Sequence, residues 1–343
     1  MTAIKMNICL VAAVFLHLIK NTCQPSVASS STFVPDVYIT HQLPKDRWCL
    51  DKIRDLFFEP ARSVAGQRRS VYNKAIKKYG GQEVILLTDD DVRISTLYFK
   101  RHQAQINLIY IPGYFFDMTP SKEWGAPFAG LFDDCNVLII DWRGVGDSEG
   151  VCSMIRRNSF GKNAYHDIQA AVEFMKRENS YPVVVIGFCC GGALALYATI
   201  QAQKEGRPTA DALALDCIFT TFEQQFNRAV AAEKRCWMRL LSNLGLARFL
   251  MTYRMDGNIF ELNPIDMIRE IKIPCYFEHY AADPYAPLEE NIAVYQAAVC
   301  HKMFMLSEEG RHVRMHTTIP YQYREAFLLF LRRFNFLPAQ DSA

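Results

Sequence analysis

The sequence predicts an α/β protein with a mostly parallel, eight-stranded sheet that is covered by helices on both faces. Two observations support this fold class. Apolar strand-like runs alternate with helical patterns from Gln82 to Phe334, as they do in sheets built from strand, crossover helix and parallel strand. Several runs, such as residues 183–186, are continuously apolar and rich in β-branched side chains, which is typical of strands buried on both faces.

The composition indicates an ordinary globular protein. The chain has 343 residues, of which 50% are hydrophobic, and its net charge is only +2, so it can form one large α/β domain with an insertion. We find no long basic stripe, no zinc-type Cys/His spacing and no Walker-type phosphate loop. We therefore expect no nucleic-acid partner, and we assign no metal and no cofactor.

The N-terminus has a different character from the rest of the chain. Lys5 precedes an apolar run at residues 8–19, which is too short to cross a bilayer, and small residues follow near Ala28. We predict a signal peptide at residues 1–28 and a secreted, periplasmic or membrane-associated protein. His17 and Lys20 interrupt the pattern and leave a cytoplasmic protein with an N-terminal arm as the alternative.

The remaining chain divides into an arm and a main domain. Residues 29–80 read as a Ser-, Thr- and Pro-rich linker followed by a helical arm, and residues 81–338 read as the α/β domain. The first two runs flank the turn Asp89-Asp-Asp91, which predicts a hairpin whose second strand alternates between a buried and a solvent face. The strands are predicted at residues 84–87, 92–99, 106–111, 136–141, 183–186, 212–218, 273–278 and 302–306, and helices at 163–176, 191–200 and 321–334.

The segment after the sixth strand is unusually apolar. Residues 222–262 have helical periodicity and many large apolar side chains, interrupted by basic residues. Such a surface can pack in the core, cover an apolar substrate or face a lipid membrane. We predict a helical, lid-like insertion here, with membrane or lipid contact as one of its uses.

A nucleophile motif lies between the fifth strand and the next helix. The stretch Gly187-Phe-Cys-Cys-Gly191 fits the elbow pattern glycine, any residue, nucleophile, any residue, glycine. A Cβ at either glycine would collide with the strand or the helix, and the positive end of the helix would favour a thiolate on Cys189. The alternative is a buried turn that holds two core cysteines.

Over residues 80–335 the sequence resembles the α/β-hydrolase superfamily. The landmarks follow that family's order: Pro112-Gly113 after the third strand, the loop at residues 141–148, the elbow, the stretch 215–221, Asp283 after the seventh strand, and a late histidine. The cysteine elbow is similar to those of dienelactone hydrolases, bile-acid-conjugating acyltransferases and polyhydroxyalkanoate synthases. The resemblance implies an α/β-hydrolase fold with the lid-like insertion after strand 6.

The resemblance also implies roles for individual residues. Cys189 would be the nucleophile, Asp283 the acid and His312 the base, because His312 follows the eighth strand behind a glycine-containing turn. The backbone N–H groups of Cys190 and Tyr114 would form the oxyanion hole. His316 is a second candidate histidine that could border the pocket, cap the next helix or lie at the surface; we expect a surface or helix-capping position.

These assignments predict an acyl hydrolase or acyltransferase that works through a thioester intermediate. Its partner would be a small-molecule ester or thioester with an apolar acyl part. The alternative is a non-catalytic binding protein with the same fold, and a less favoured alternative is a redox role for the pair Cys189 and Cys190. The cysteines show no regular spacing, so we expect buried free thiols rather than a disulfide framework. The sequence gives no indication of an oligomeric state.

Overall fold

The computed structural model describes residues 76–113, 121–145, 147–149, 161–232 and 257–338. The strands are β1 (Gln82–Leu87), β2 (Arg93–Phe99), β3 (Asn107–Ile111), β4 (Asn136–Ile140), β5 (Val183–Phe188), β6 (Ala212–Asp216), β7 (Cys275–Tyr280) and β8 (Lys302–Ser307). They form one sheet in the order β1-β2-β4-β3-β5-β6-β7-β8. β2 runs antiparallel to β1 and β4, and all other neighbours are parallel. The predicted mostly parallel, eight-stranded sheet is therefore confirmed.

Helices connect the parallel strands. They are α1 (Ser121–Leu131), α2 (Tyr165–Glu178), α3 (Cys190–Glu205), α4 (Phe222–Ala232), α5 (Pro264–Met267), α6 (Leu288–Ala297), α7 (Met315–Thr318) and α8 (Pro320–Arg333). The helices predicted around residues 163–176, 191–200 and 321–334 correspond to α2, α3 and α8. Since the strands from β3 onward are parallel, the loops that follow them lie at one edge of the sheet, where binding sites of open α/β sheets form.

The central strands have the burial that their composition predicts. Every residue of β3, β4, β5 and β6 is buried, because layers of helices cover a parallel sheet on both faces. The strands at the two edges, β1 and β8, are partly exposed. The continuous apolar runs therefore mark the centre of the sheet.

The expected alternation of β2 is wrong. Only Arg93 at its start is exposed, and the rest of the strand is buried. The buried hydroxyl of Thr96 has a partner, because Thr96 Oγ1 donates to the carbonyl of Val84 at 2.8 Å. The backbone amide of Ser95 donates to Ser148 Oγ at 2.8 Å. Polar residues in a strand thus indicate a solvent face only if nothing else binds them.

The predicted lid is described at its two ends. α4 begins the segment, and a short 3₁₀ helix (Gly257–Glu261) follows the gap. The Phe260 ring packs edge-on against Phe222 and Phe226, with ring centroids 5.4 and 5.3 Å apart. The start of the segment in α4 and its end in the 3₁₀ helix therefore lie next to each other.

Other expectations concern residues that are not described. The predicted signal peptide (1–28), nearly all of the linker and arm (29–80) and residues 233–256 of the lid lie outside the described residues. Within the described part of the chain, none of the helices has the length and hydropathy needed to span a membrane.

A buried ion network holds the loop after β4. The Arg143 side chain is fully buried, and its Nε donates to Asp167 Oδ1 at 2.8 Å, while Nη1 and Nη2 donate to Asp90 at 2.6 and 3.0 Å. The backbone N–H of Arg143 also donates to Asp167 at 3.0 Å. This network joins the hairpin turn, the β4 loop and α2.

Candidate active site

Cys189 occupies a strained turn between β5 and α3. Its backbone has φ 51° and ψ −114°, a region that side chains with a Cβ rarely adopt and that costs about 1–3 kcal/mol. The Cys189 amide donates to the carbonyl of Asp216 at 2.8 Å, and the Cys189 carbonyl accepts from Gly192 at 3.0 Å. Hydrogen bonds to both sides therefore hold the predicted strand, turn and helix together.

The flanking glycines are sterically required. A Cβ on Gly187 would lie 2.5 Å from the Cα of Gly192, and a Cβ on Gly191 would lie 2.6 Å from the carbonyl oxygens of Ile111 and Pro112. These neighbours are backbone atoms that cannot rotate away. The elbow can therefore form only with glycine at both positions, as the sequence pattern predicts.

The structure brings Asp283 and His312 together. Asp283 follows β7, His312 follows β8, and Asp283 Oδ2 lies 2.6 Å from His312 Nδ1. Asp283 Oδ1 accepts from the amides of Tyr285 at 2.8 Å and Ala286 at 3.0 Å. Burial raises the pKa of Asp283, but the hydrogen bonds from His312 and from the two amides, with the charge of His312, outweigh this effect. The pKa of Asp283 therefore lies below its ordinary value. The carboxylate is thus fixed and charged beside the imidazole.

His312 lies between Asp283 and Cys189. Burial alone would lower the pKa of His312, but attraction to Cys189 and the hydrogen bonds to Asp283 and Cys189 raise it to about 10. An imidazole that bonds through Nδ1 to a carboxylate directs Nε2 toward its other partner. The Tyr285 ring packs on the imidazole with centroids 5.1 Å apart and helps to set its orientation. The arrangement can move a proton between a thiol and a bound substrate.

Of the two predicted oxyanion-hole residues, Cys190 and Tyr114, only Cys190 lies within the described residues. Cys190 is the first residue of α3, where backbone N–H groups have no partner within the helix. Its side chain is buried, and burial raises the pKa of its thiol, so its backbone is the part that can serve a substrate. Tyr114 lies outside the described residues, directly after Gly113.

The expectation that His316 lies at the surface or caps a helix is wrong. His316 is buried within α7, and four aromatic rings surround it. The ring centroids lie 6.2 Å from Tyr110, 5.8 Å from Phe128, 5.5 Å from Phe188 and 5.9 Å from Tyr323. These rings come from four separate elements, so no local pattern could predict the enclosure.

Sequence reasoning missed two buried carboxyl groups next to this site. Asp216 ends β6 and is paired in register with Glu278 on β7. Both side chains are about 1% exposed. Both oxygens of Asp216 and one of Glu278 have no nitrogen or oxygen partner among the described residues. The sequence could have indicated a buried carboxyl group, because an acidic residue ends an apolar strand. It could not indicate which residue lies beside it, because that depends on the order of the strands in the sheet.

Two groups of side chains in the described part of the chain have the composition and spacing of metal ligands. They are Cys217, Asp283 and His312, and Asp89, Asp90 and His166. In the first group, Asp283 and His312 already bond to each other. In the second, His166 pairs with Asp89 at 2.6 Å. The assignment of no metal stays a prediction.

Comparisons with known proteins agree with the fold. Residues 108–330 match the model of the Alpha/beta hydrolase family, whereas the comparison with curated proteins gives no match. The esterase Pf2001 of Pyrococcus furiosus is similar in structure, with a TM-score of 0.56 and 20% identity over 75% of this chain and 92% of the esterase.

Two further solved structures are similar over a comparable span. An esterase (EaEST) from Exiguobacterium antarcticum has a TM-score of 0.53 and 15% identity over 73% of this chain and 100% of the esterase. An esterase from Thermogutta terrifontis has a TM-score of 0.51 and 17% identity over 74% of this chain and 98% of the esterase. At these identities the likeness establishes the fold, and with the family match it confirms the predicted fold class.

Proposed function

Because the chain belongs to the alpha/beta hydrolase family, we propose that it is an acyl hydrolase or acyltransferase whose nucleophile is Cys189. Family membership confirms the expected enzyme class, and the cysteine chemistry is our proposal. The observation that carries it is the position of Cys189 on a strained elbow at the start of α3, beside a histidine that bonds to Asp283.

The chemistry follows from these contacts. The Cys189 sulfur attacks the acyl carbonyl carbon, and the negative charge that forms on the carbonyl oxygen is stabilised by the N–H groups of Cys190 and Tyr114. His312, protonated by the thiol, gives that proton to the leaving group, so that a thioester remains on Cys189. Water or another nucleophile then attacks the thioester and loses its proton to His312. The C–S bond breaks, the acyl product leaves, and the Cys189 sulfur is released beside the protonated His312. The fixed carboxylate of Asp283 stabilises the imidazolium at both stages.

The proposed substrate is an ester or thioester with an apolar acyl part. Support comes from the segment 222–262, whose described ends bring three phenylalanine rings together after β6. Arg228 of α4 bonds to Glu290 of α6 and donates to the carbonyl of Tyr285 at 3.1 Å. Tyr285 packs on His312, so this chain of contacts ties the start of the lid to the acid and the histidine.

The proposal predicts that activity depends on the sulfur of Cys189. We expect Cys189→Ala to lower kcat/KM for acyl esters by ~10³-fold or more, since it removes the nucleophile. Cys135→Ser is the matched control, because Cys135 is also buried and lies before β4. Turnover would be measured on esters of graded acyl length. Undiminished activity of Cys189→Ala would exclude the nucleophile, and a rate that does not rise with acyl length would exclude the apolar acyl part.

Alkylation distinguishes this enzyme from a binding protein with the same fold. A thiol beside an imidazolium and a helix N-terminus should react with iodoacetamide near neutral pH roughly tenfold faster than an ordinary thiol. We expect His312→Ala to abolish this excess reactivity, as measured by mass spectrometry of the peptide that contains Cys189. If Cys189 reacts at the ordinary rate in both proteins, the non-catalytic alternative is correct.

A further inference from the structure

A second pair of cysteines lies at the opposite ends of the strands that lead to Asp283 and His312. Cys275 is the first residue of β7, and Cys300 precedes β8 by two positions. Asp283 and His312 follow the other ends of these strands. The pair is therefore separate from the site proposed above, and the inference from it does not depend on the proposed chemistry.

The backbone places the two cysteines side by side. The amide of Cys275 donates to the carbonyl of His301 at 2.9 Å, and Cys275 pairs in register with Lys302. Cys300 is the next residue before the accepting carbonyl, so the two cysteines are neighbours at the start of the β7–β8 pair, close enough for each thiol to affect the pKa of the other. The Cys275 thiol donates to the carbonyl of Ile273 at 3.5 Å. Both are free thiols, with Cys275 buried and Cys300 partly exposed. A small oxidant can therefore reach Cys300 first.

The two thiols are chemically unequal. Lys302 Nζ folds back onto the preceding turn and donates to the carbonyls of Tyr295 and Ala298, each at 2.7 Å. The neighbouring Cys275 thiol and the charges of Lys302 and Lys272 lower the pKa of Cys300 to about 7, although burial opposes this. The neighbouring Cys300 thiol and burial raise the pKa of Cys275. Cys300 is thus the reactive thiolate and Cys275 the protonated neighbour.

We propose that Cys275 and Cys300 form a reversible disulfide when the protein meets a peroxide. The Cys300 thiolate attacks one oxygen of hydrogen peroxide, the O–O bond breaks, and a sulfenic acid and hydroxide form. The Cys275 sulfur attacks the Cys300 sulfur, the S–O bond breaks, and the Cys275 proton leaves with the departing hydroxide. The hydroxide from the first step takes up the proton that Cys300 released on ionising. In sum, the two thiols lose two electrons, and the peroxide becomes two molecules of water.

The disulfide would join the starts of the last two strands. It closes a loop between residues 275 and 300 that includes Asp283 and α6. Cross-linking such a loop restricts the unfolded chain and raises stability. Because both sulfurs lie away from the proposed site, the bond is expected to stabilise this end of the sheet without entering the reaction.

The test uses the full chain with Cys189→Ala, so that the proposed nucleophile cannot react. The protein is treated with hydrogen peroxide, its remaining thiols are blocked with N-ethylmaleimide, and linked peptides are mapped by mass spectrometry. We expect a Cys275–Cys300 peptide, a rise in Tm on the order of 5 °C, and reversal of both by dithiothreitol. Adding Cys300→Ser, at a partly exposed position, should remove the linked peptide and the Tm rise, whereas adding Cys135→Ser should retain them.

Several outcomes would overturn the proposal. One is a chain that forms no linked peptide under these conditions. Another is a linked peptide that joins a different pair of cysteines, of which the Cys189→Ala chain keeps all but one of the natural 11. A rise in Tm that persists in the Cys300→Ser variant would also contradict the assignment, because that variant lacks the attacking sulfur. All of these results are independent of ester turnover by the unmodified protein.

Discussion

Asp216 and Glu278 place two carboxyl groups side by side in a buried position. Burial raises the pKa of Asp216 to about 7, against smaller opposing effects of the Cys217 thiol and His312. Burial and the neighbouring Asp216 raise the pKa of Glu278 well above its usual value. Two adjacent carboxylates in a region of low dielectric constant cannot both be charged, so the pair retains at least one proton near neutral pH.

This retained proton predicts how stability depends on pH. The folded protein holds protons that the unfolded chain releases above about pH 4, so the free energy of unfolding should fall as the pH rises from about 4 to about 7. Asp216→Asn removes one titrating group. We expect it to gain on the order of 2 kcal/mol relative to the parent protein between pH 5 and pH 8.

Thermal unfolding at pH 5 and pH 8 measures the difference. The matched control is Asp133→Asn, because Asp133 is exposed, and its effect should be the same at both values. If Asp216→Asn and the parent protein differ in stability by the same amount at pH 5 and at pH 8, Asp216 does not hold the proton. A variant that loses more stability than the parent protein as the pH rises would contradict the sign of the predicted effect.

Position in the chain predicted some residues of the site and not others. Cys189, Asp283 and His312 each lie in the segment that follows a strand of the sheet, and the resemblance to α/β-hydrolases, together with the order of the chain, predicted these three as candidates. The burial of His316 depends on rings from several elements, and the pairing of Asp216 with Glu278 depends on β6 lying beside β7. Such contacts join distant parts of the chain, so local patterns do not contain them.

The junction of β5 and α3 depends on the absence of two Cβ atoms. Gly191→Ala would force a methyl group to within 2.6 Å of two backbone oxygens, one on the last residue of β3 and one on the residue that follows it. We expect α3 to shift and ester turnover to fall by more than about tenfold, because the elbow sets the position of the proposed nucleophile. Turnover and far-ultraviolet circular dichroism together separate a displaced site from an unfolded chain.

Gly206, at the other end of α3, is the matched control. It has φ +65°, but a Cβ there meets nothing within 4 Å. Gly206→Ala should therefore cost only about 1 kcal/mol of stability, as alanine tolerates this backbone conformation poorly, and should leave turnover intact. If Gly191→Ala and Gly206→Ala behave alike, the close approach at the elbow does not control the site.

Strands and helices were predictable where burial follows composition. The central strands have apolar side chains on both faces, and their positions agree with the expected runs. β2 shows the limit of this reasoning, because Ser95 and Thr96 suggested a solvent face. Partners from the β4 loop and from β1 satisfy the polar groups of that strand, and those partners become adjacent only after folding.

The network around Arg143 links separate parts of the whole molecule. The buried guanidinium meets Asp167 on α2 and Asp90 in the hairpin turn. Burial raises the pKa of Asp167 in spite of Arg143, which reflects the desolvation of the carboxylate. We expect Asp167→Asn to lower the free energy of unfolding by about 3 kcal/mol, because a buried cation loses one of its two charged partners.

Urea unfolding measures this loss against an exposed ion pair. Asp134 lies 2.9 Å from Arg324, with both side chains partly exposed. Asp134→Asn should cost less than about 1 kcal/mol, because water screens that pair. Equal losses in the two variants would show that the buried network stabilises the protein no more than a surface contact does.

The positions of Asp283 and His312 after the last two strands have a consequence for protein synthesis. A chain leaves the ribosome from its N-terminus and begins to fold as it emerges. The sheet neighbours of β5, which are β3 and β6, are translated before the acid and the histidine exist. The elbow can thus form around a thiol that has no base. If Cys189 is the nucleophile as proposed, we expect a nascent chain to carry it in an inactive form until His312 has been translated.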